Sequence, residues 1–307
     1  MSRVVYGIGE VVFDIIFKRG IPVDGKPGGA ILNSLVSLSR LKVDTTLIAD
    51  CVNDSVGKLI ENFLVGNNVN VDSIKWYNTG RSRLALAFLN TSNDADYLFY
   101  KMQSEENLNL NYPIPVESDI ILFGSYYGIK PEIRNGLTEF LNKASIAGNC
   151  IVYDPNFRKS HLSMLEQVRP FIYENFKISD IVKGSSEDFY YIFNEKSPQE
   201  IYRKFVECGG KILVLTSAEK SVWLFHPDFS FQVKVPEINP ISTIGAGDSF
   251  SAGVIYGLIS NNIAKQDIKN LDESVWLQII NSAIKCAISV CMSYENYVPQ
   301  NYNLALK

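Results

Sequence analysis

Short apolar runs alternate along most of the chain with stretches whose apolar residues recur three or four positions apart. This alternation predicts an α/β layered fold. Val4–Phe13, Thr45–Ala49, Ile120–Phe123, Cys150–Tyr153, Ile178–Val182 and Ile212–Leu215 are the strand candidates. Between them, Ile31, Leu35, Leu38 and Leu41 trace one helix face, and Phe250, Val254 and Leu258 trace another. Glu273–Cys291 reads as a long helix rich in Ile, Ala and Leu. Two stretches break the rhythm. Asp14–Val23 and Arg81–Met102 read as β-ribbon, the second turning at Thr91-Ser92-Asn93-Asp94 between Leu84–Asn90 and Tyr97–Tyr100. We expect them to form a small sheet beside the main body. Arg81 and Arg83 flank the ribbon and read as charges that protect a solvated edge. A further hairpin is expected around His226-Pro227-Asp228, between Val222–Phe225 and Phe231–Val235. The most polar patch is Gln103–Asn111, and no repeat or linker divides the chain.

Composition narrows the chemistry. The 307 residues correspond to about two domains at roughly 150 residues each, although a large α/β fold can use such a length as one. A formal charge of −4 argues against nucleic acid or an anionic membrane as the main partner. A phosphate ligand is still compatible, because it needs only a local set of donors. The two histidines, His161 and His226, form no HExxH or His/Cys cluster and read as surface turn or helix residues. Chemistry is therefore expected on carboxylates, backbone amides, lysine or arginine. Five scattered cysteines without a CxxC pair fit reduced thiols in a cytosol. No signal peptide is visible, and the longest uncharged stretch, Ser249 to Ala264, is too short and polar for a membrane span. A cytoplasmic protein is expected.

The strongest local feature is Ile244-Gly245-Ala246-Gly247-Asp248-Ser249-Phe250, which follows a loop containing Pro236 and Pro240 and opens an amphipathic helix. Small residues let a ligand approach the backbone, and the first amides of a helix attract anions. A carboxylate beside such a site suits phosphoryl transfer: the amides stabilise the moving charge while Asp248 takes a proton from an attacking hydroxyl. Taken alone, the same pattern also describes a glycine-rich loop with Asp as a helix cap. A second pair, Pro27-Gly28-Gly29-Ala30-Ile31-Leu32-Asn33, opens another helix, and Asn33 can donate and accept as polyol recognition requires. Gly7-Ile8-Gly9-Glu10 lacks the third glycine of a dinucleotide fingerprint, where Val12 stands, and no GxxxxGK[ST] loop is present.

Together, two glycine motifs in this order and about two hundred residues apart resemble the ribokinase-like (PfkB) family of sugar kinases. The resemblance runs from Gly9-Glu10 to the last helix. Gly28-Gly29-Ala30 through Asn33 resembles the N-terminal signature, and Gly245-Ala246-Gly247-Asp248 the C-terminal one. Asp14 lies where the family has a sugar-binding aspartate. Asp154-Pro155-Asn156-Phe157-Arg158 matches the D-x-N-x-R pattern of fructokinase-like members, and Lys183 and Glu187 resemble the ends of the K-x-N-x-x-E stretch.

The resemblance implies a three-layer α/β/α fold over residues 1–307, with a β-sheet lid formed by approximately 14–23 and 81–102. It implies an ATP-dependent kinase acting on a hydroxyl of a small sugar, fructose or ribose-like. Asp248 would be the base, and the amides of Gly245, Ala246, Gly247 and Asp248 the anion hole. Asp14, Gly28, Gly29 and Asn33 would hold sugar hydroxyls, with Arg158 on the substrate or phosphate side. Lys183 and the loop of Thr216, Ala218 and Ser221 would border the nucleotide, and Glu187 the water shell of Mg²⁺. The family's lid closes over the sugar and often pairs with a second subunit's lid. Four departures stand against this. Ser242 replaces the signature's first aspartate, so an activating monovalent cation is not carried over. Ser185 replaces an asparagine, Ala218 and Ser221 replace the glycines of the T-x-G-x-x-G nucleotide loop, and Tyr294-Glu295-Asn296 stands where a glycine-containing segment borders the adenine. Two alternatives therefore stay open: a non-catalytic sugar-binding protein derived from a kinase, and a nucleoside kinase.

Overall fold

Strands that are apolar at nearly every position need cover on both faces, and the main sheet has it. A computed structural model describes residues 3–89, 95–100, 109–217 and 220–304. The chain opens with β1 (Val4–Ile8), leaves for a hairpin of β2 (Val12–Lys18) and β3 (Ile21–Gly28), and returns through α1 (Ala30–Arg40) to β4 (Asp44–Val52). There follow α2 (Ser55–Gly66), β5 (Val69–Asn70), β6 (Ile74–Tyr77), β7 (Leu84–Leu89) and β8 (Ala95–Tyr100). Helices then alternate with strands: β9 (Ile120–Gly124), α3 (Arg134–Ile146), β10 (Cys150–Asp154), α4 (Leu165–Ile178) and β11 (Ile181–Ser185). The chain ends with α5 (Ser186–Phe193), α6 (Pro198–Glu207), β12 (Ile212–Ser217), the hairpin β13 (Ser221–Phe225) and β14 (Ser230–Lys234), α7 (Ala246–Ser260) and α8 (Glu273–Cys291).

The main sheet has the order β14-β13-β12-β11-β10-β9-β1-β4-β5, with β6 also on β4. From β12 to β5 neighbouring strands are parallel, and the β13–β14 hairpin adds an antiparallel edge. Successive residues serve opposite layers. Ile120 and Leu122 of β9 join the core that includes α1, α2, α7 and α8 side chains, while Ile121 and Phe123 join the core containing those of α3 to α6. The result is the expected three-layer α/β/α body. Because the strands are parallel, Ile8, Gly124, Asp154 and Ser185 all finish at one edge, where ligands of such sheets bind.

A second sheet, ordered β3-β2-β7-β8, stands beside that edge. The strand expected over Val4–Phe13 is in fact two: β1 ends at Ile8 and β2, which belongs to the small sheet, begins at Val12. The ribbon expected over Asp14–Val23 is a full hairpin from Val12 to Gly28, turning at Arg19 and Gly20, both with positive φ. β7 lies parallel to β2 and antiparallel to β8. The expected turn at 91–94 and residues 103–108 of the polar patch fall outside the described residues. Ile178 closes α4, and the strand assigned to Ile178–Val182 starts only at Ile181.

Two surface readings are corrected. His226, expected on a surface turn, is 3% exposed: its ring stacks on Phe229 at 4.6 Å and Nδ1 accepts from the Asp228 N–H at 3.2 Å. The turn folds its polar residue inward over an aromatic neighbour. Arg81 is exposed, but Arg83 is buried against carboxylates and does not guard a solvated edge.

Candidate active site

Two helices aim their N-termini at the space between the sheets. α1 begins after Gly29 and α7 after Gly245, and the two pack side by side through polar residues set into apolar faces. Asn33 Nδ2 donates to Asp248 Oδ2 at 2.8 Å, Ser34 Oγ donates to the Asp248 carbonyl at 2.8 Å, and the Ser37 and Ser249 hydroxyls lie 3.0 Å apart. The two glycine motifs of the sequence thus meet at one carboxylate.

The loop entering α7 is glycine-dependent. Gly245 has φ of 81°, and a Cβ there would fall on the main-chain carbonyl of Asn296. The first helical bond runs from the Ser249 N–H to the Gly245 carbonyl at 2.9 Å, which leaves the Gly247 and Asp248 amides without helical partners. The Ala246 N–H is turned instead to the Thr243 carbonyl, at 3.3 Å. Of the four amides expected in the anion hole, the helix start therefore presents those of Gly247 and Asp248 most directly. Ser242 is taken up locally, its Oγ accepting from the Ile244 N–H at 3.2 Å.

Asp248 lies in a dense surround. Desolvation pushes its pKa up to about 6, against the lowering effect of the Asn33 hydrogen bond, with Asp154 raising it and Lys183 and Arg158 lowering it. Asp14 comes from β2 to the same cleft, and burial pushes its pKa up to about 7, opposed by Lys26 and reinforced by Asp248. A Cβ on Gly28 would fall on Asp14 Oδ2, and one on Gly29 on the Glu10 carbonyl. Both glycines are there to let the turn pass close to Asp14 and to the chain leaving β1. Asn33 Oδ1 is buried with no hydrogen-bond partner, a spare acceptor beside Asp248.

Beneath α7 lies a buried polar group. Lys183 Nζ donates to Asp154 Oδ2 at 2.9 Å, and Ser251 Oγ donates to the same oxygen at 2.8 Å. Lys183, expected at the nucleotide, is 5% exposed, and its ammonium reaches to 3.3 Å from the place of a Cβ on Gly247. It lies under the amide loop. Arg158 is exposed at the rim, close enough to Asp248 and Tyr191 for its charge to lower both pKa values.

Glu187 needs a correction of register. Counted from Lys183, the acid of a K-x-N-x-x-E stretch falls on 188, which here is Asp188. Asp188 is buried and caps α5 in a reciprocal box with Ser185: its Oδ2 accepts from the Ser185 N–H at 2.6 Å and Oγ at 2.7 Å. Glu187 is exposed, accepting from the Tyr191 hydroxyl at 2.8 Å. Among the described residues no three His, Cys, Asp or Glu side chains converge. A donor set this thin fits Mg²⁺ carried on nucleotide phosphates, an ion that keeps much of its water, and does not form a protein cage.

On the expected nucleotide side, Thr216 is half-buried near the end of β12, its Oγ1 3.5 Å from the Gly184 carbonyl. Ser221 is not in a loop. It is the first residue of β13, 6% exposed and paired with Ser217, and the Lys220 N–H donates to the Ser217 carbonyl at 2.9 Å. Ala218 lies outside the described residues. Sequence reading missed Lys26, opposite Asp14 in the hairpin register, whose Nζ reaches the Tyr294 carbonyl at 3.2 Å. A turn at Arg19-Gly20 alone would pair 14 with 25; a register shift between Ile16 and Phe17, which the sequence does not display, brings Lys26 opposite Asp14. Sequence reading also missed Ser34, Ser37 and Ser251, polar positions on otherwise apolar helix faces.

A model of the family described as pfkB family carbohydrate kinase matches residues 11–274. A probable chloroplastic fructokinase-6 of Arabidopsis thaliana is 27% identical over 255 residues, 81% of this chain and 66% of that protein. Among solved structures, fructokinase from Vibrio cholerae O395, in a form with fructose, ADP and calcium ion bound, superposes with a TM-score of 0.83 at 19% identity, covering 96% of this chain and 94% of the other. An uncharacterized sugar kinase from Pyrococcus horikoshii in complex with ATP gives a TM-score of 0.81 at 24% identity, covering 99% and 98%.

Proposed function

The chain belongs to the pfkB family of carbohydrate kinases, phosphotransferases with an alcohol group as acceptor, and we propose that it moves the γ-phosphoryl of ATP to a hydroxyl of a small free sugar, fructose or a ribose-like acceptor. The observation that carries this reading is the Asn33–Asp248 bond of 2.8 Å, which sets a carboxylate at the meeting point of two helix N-termini. With a pKa raised to about 6, Asp248 is ionised at neutral pH yet basic enough to accept a proton.

The sugar oxygen attacks the γ-phosphorus while its proton passes to Asp248. The bond to the bridging oxygen of ADP breaks, and ADP leaves with the electron pair. The amides of Gly247 and Asp248, with that of Gly245 at the same turn, face the charge on the moving phosphoryl, while the Ala246 N–H stays on the Thr243 carbonyl. Asp14 and Asn33, beside the close-packed Gly28 and Gly29, hold the sugar's other hydroxyls, and Arg158 attends the phosphate side from the rim. Lys183 supports the amide loop from below, and Thr216 near the end of β12 with Ser221 at the start of β13 borders the nucleotide. Mg²⁺ on the phosphates would supply charge neutralisation, and Asp188, the acid in register with Lys183, would face its water shell, with Glu187 exposed beside it. Ser242 brings no charge for a monovalent cation, so activation by one is not expected.

The small sheet would close over the sugar and, through its exposed Ile21, Val23, Phe88, Leu98, Phe99 and Tyr100, pair with the same sheet of a second copy. All five cysteines are unpaired, which supports a reducing, cytoplasmic setting. The test is ADP release with Mg-ATP across free sugars, sugar acids and nucleosides. Turnover on a ketose or pentose is expected. Sugar binding without turnover on any acceptor favours the non-catalytic alternative, and turnover on nucleosides alone makes the chain a nucleoside kinase. Added K⁺ should not change the rate; clear activation contradicts the reading of Ser242.

A further inference from the structure

The acceptor side of the site hangs on the small sheet, and the orientation of that sheet has to be fixed somewhere. β2, which carries Asp14, and β7 run side by side from the same crossing point. There the Phe13 N–H donates to the Arg83 carbonyl at 3.0 Å, immediately before the ladder pairing Phe13 with Leu84. The Arg83 side chain turns the other way, into the body. Its Nη2 meets Asp50 Oδ2 at 2.6 Å, Nη1 donates to the Asp50 carbonyl at 3.2 Å, and Nε lies 3.2 Å from Glu10 Oε1, ion-paired without hydrogen-bond alignment. Asp50 belongs to β4 of the main sheet and is fully buried; the Arg83 side chain is 3% exposed. Next to it, Ser82 is held by the cap of α2, its N–H on Asp54 Oδ2 at 2.9 Å and its hydroxyl on Asp54 Oδ1 at 2.6 Å.

Two of Arg83's contacts lead toward the acceptor, while Asp50 anchors it to the body. Glu10 begins the passage from β1 to β2, and its carbonyl fills the space left by the missing Cβ of Gly29. Arg83's own carbonyl fixes Phe13, the neighbour of Asp14. A planar guanidinium gripped at several nitrogens holds direction as well as distance, which a single point charge does not. Removing one partner of a buried pair leaves the other charge stranded, so the arrangement resists local distortion.

We propose that Arg83 is a positioning residue for the sugar acceptor: clamped between Asp50 of the body and Glu10 of the β1–β2 passage, it fixes the direction of β2 and the Gly28–Gly29 turn relative to Asp248 before the sugar arrives. The role rests on the kinase reading above, but its test separates the two. Arg83→Met combined with Asp50→Asn removes the buried pair together, and only the partly exposed Glu10 loses an ion pair. In this variant KM for the accepted sugar should rise about tenfold or more, while KM for ATP stays within about twofold, because the nucleotide side is not built on this crossing. A sugar KM unchanged in the folded variant, or an equal rise in both KM values, overturns the assignment. Should the double variant not fold, Arg83→Lys keeps the charge and loses the fork. A sugar KM raised about threefold or more supports the role, and an unchanged one overturns it. Amide hydrogen exchange without ligand is the readout independent of turnover. Exchange across residues 12–28 should quicken while β9 to β12 keep their protection; unchanged exchange across 12–28 overturns the proposal. Failure of the wild-type protein to phosphorylate any acceptor, with the exchange difference present, sinks the kinase reading and leaves the hinge role standing.

Discussion

Asp14 and Asp248 are carboxyls that the fold makes harder to ionise, and pH should expose both. With pKa values raised to about 7 and about 6, each holds its proton in a range where an exposed carboxylate has none. A base must be ionised to act, so kcat/KM for the sugar should fall as pH drops from 8 through 6, in a steady-state pH profile. A flat profile down to pH 5 contradicts the assignment of the base. Stability runs the opposite way. A carboxyl whose folded pKa is raised stabilises the fold fully below its unfolded pKa, near 4, and the contribution is lost as pH rises through about 7. Asp14→Asn, which mimics the neutral form, should therefore raise Tm at pH 8 and leave it nearly unchanged at pH 4. The gain has an upper bound of about 4 kcal/mol. At this scale the glycine loops and Asp248 were legible because short motifs carry them. Lys26, Arg83 and His226 were not, because each is defined by a partner or a burial that local sequence does not display.

The elements show how the site is braced. α7 packs on α8 across Gly253, where an added Cβ would fall on the Cα of Ala283, main chain that cannot step aside. Gly253→Ala should cost about 1–3 kcal/mol, read from denaturant unfolding. Under the start of the same helix, Lys183→Met would leave Asp154 buried without its cation. A loss of about 3–5 kcal/mol is expected, largely recovered in Lys183→Met/Asp154→Asn. An equal loss in the single and double variants would show that the charges are not coupled. Strands and helices of the body were readable from their apolar rhythm. The division of Val4–Phe13 was hidden because Val11 and Val12 are as apolar as β1 itself, and only the crossing to a second sheet separates them. Ser221 starts β13 instead of lying in a loop, because its pairing with Ser217 is a strand contact that the local motif does not display.

On the scale of the whole molecule, a mildly acidic body would, in the proposed reaction, meet phosphates with amides and one buried lysine, not with a basic surface. The small sheet presents apolar residues to solvent, among them Leu98 and Phe99 at 51% exposure each. Sedimentation equilibrium should show a dimer, and Leu98→Glu/Phe99→Lys should shift it to monomer; a wild-type monomer at micromolar concentration contradicts the pairing. The central claim, phosphoryl transfer to a sugar hydroxyl with Asp248 as base, is tested most directly by following sugar phosphate formed from Mg-ATP by the wild-type protein and by Asp248→Asn. The wild type should turn over at least one free sugar. The variant should still bind that sugar while its kcat falls by about 10²–10⁴-fold. Near-normal turnover by Asp248→Asn would contradict the claim.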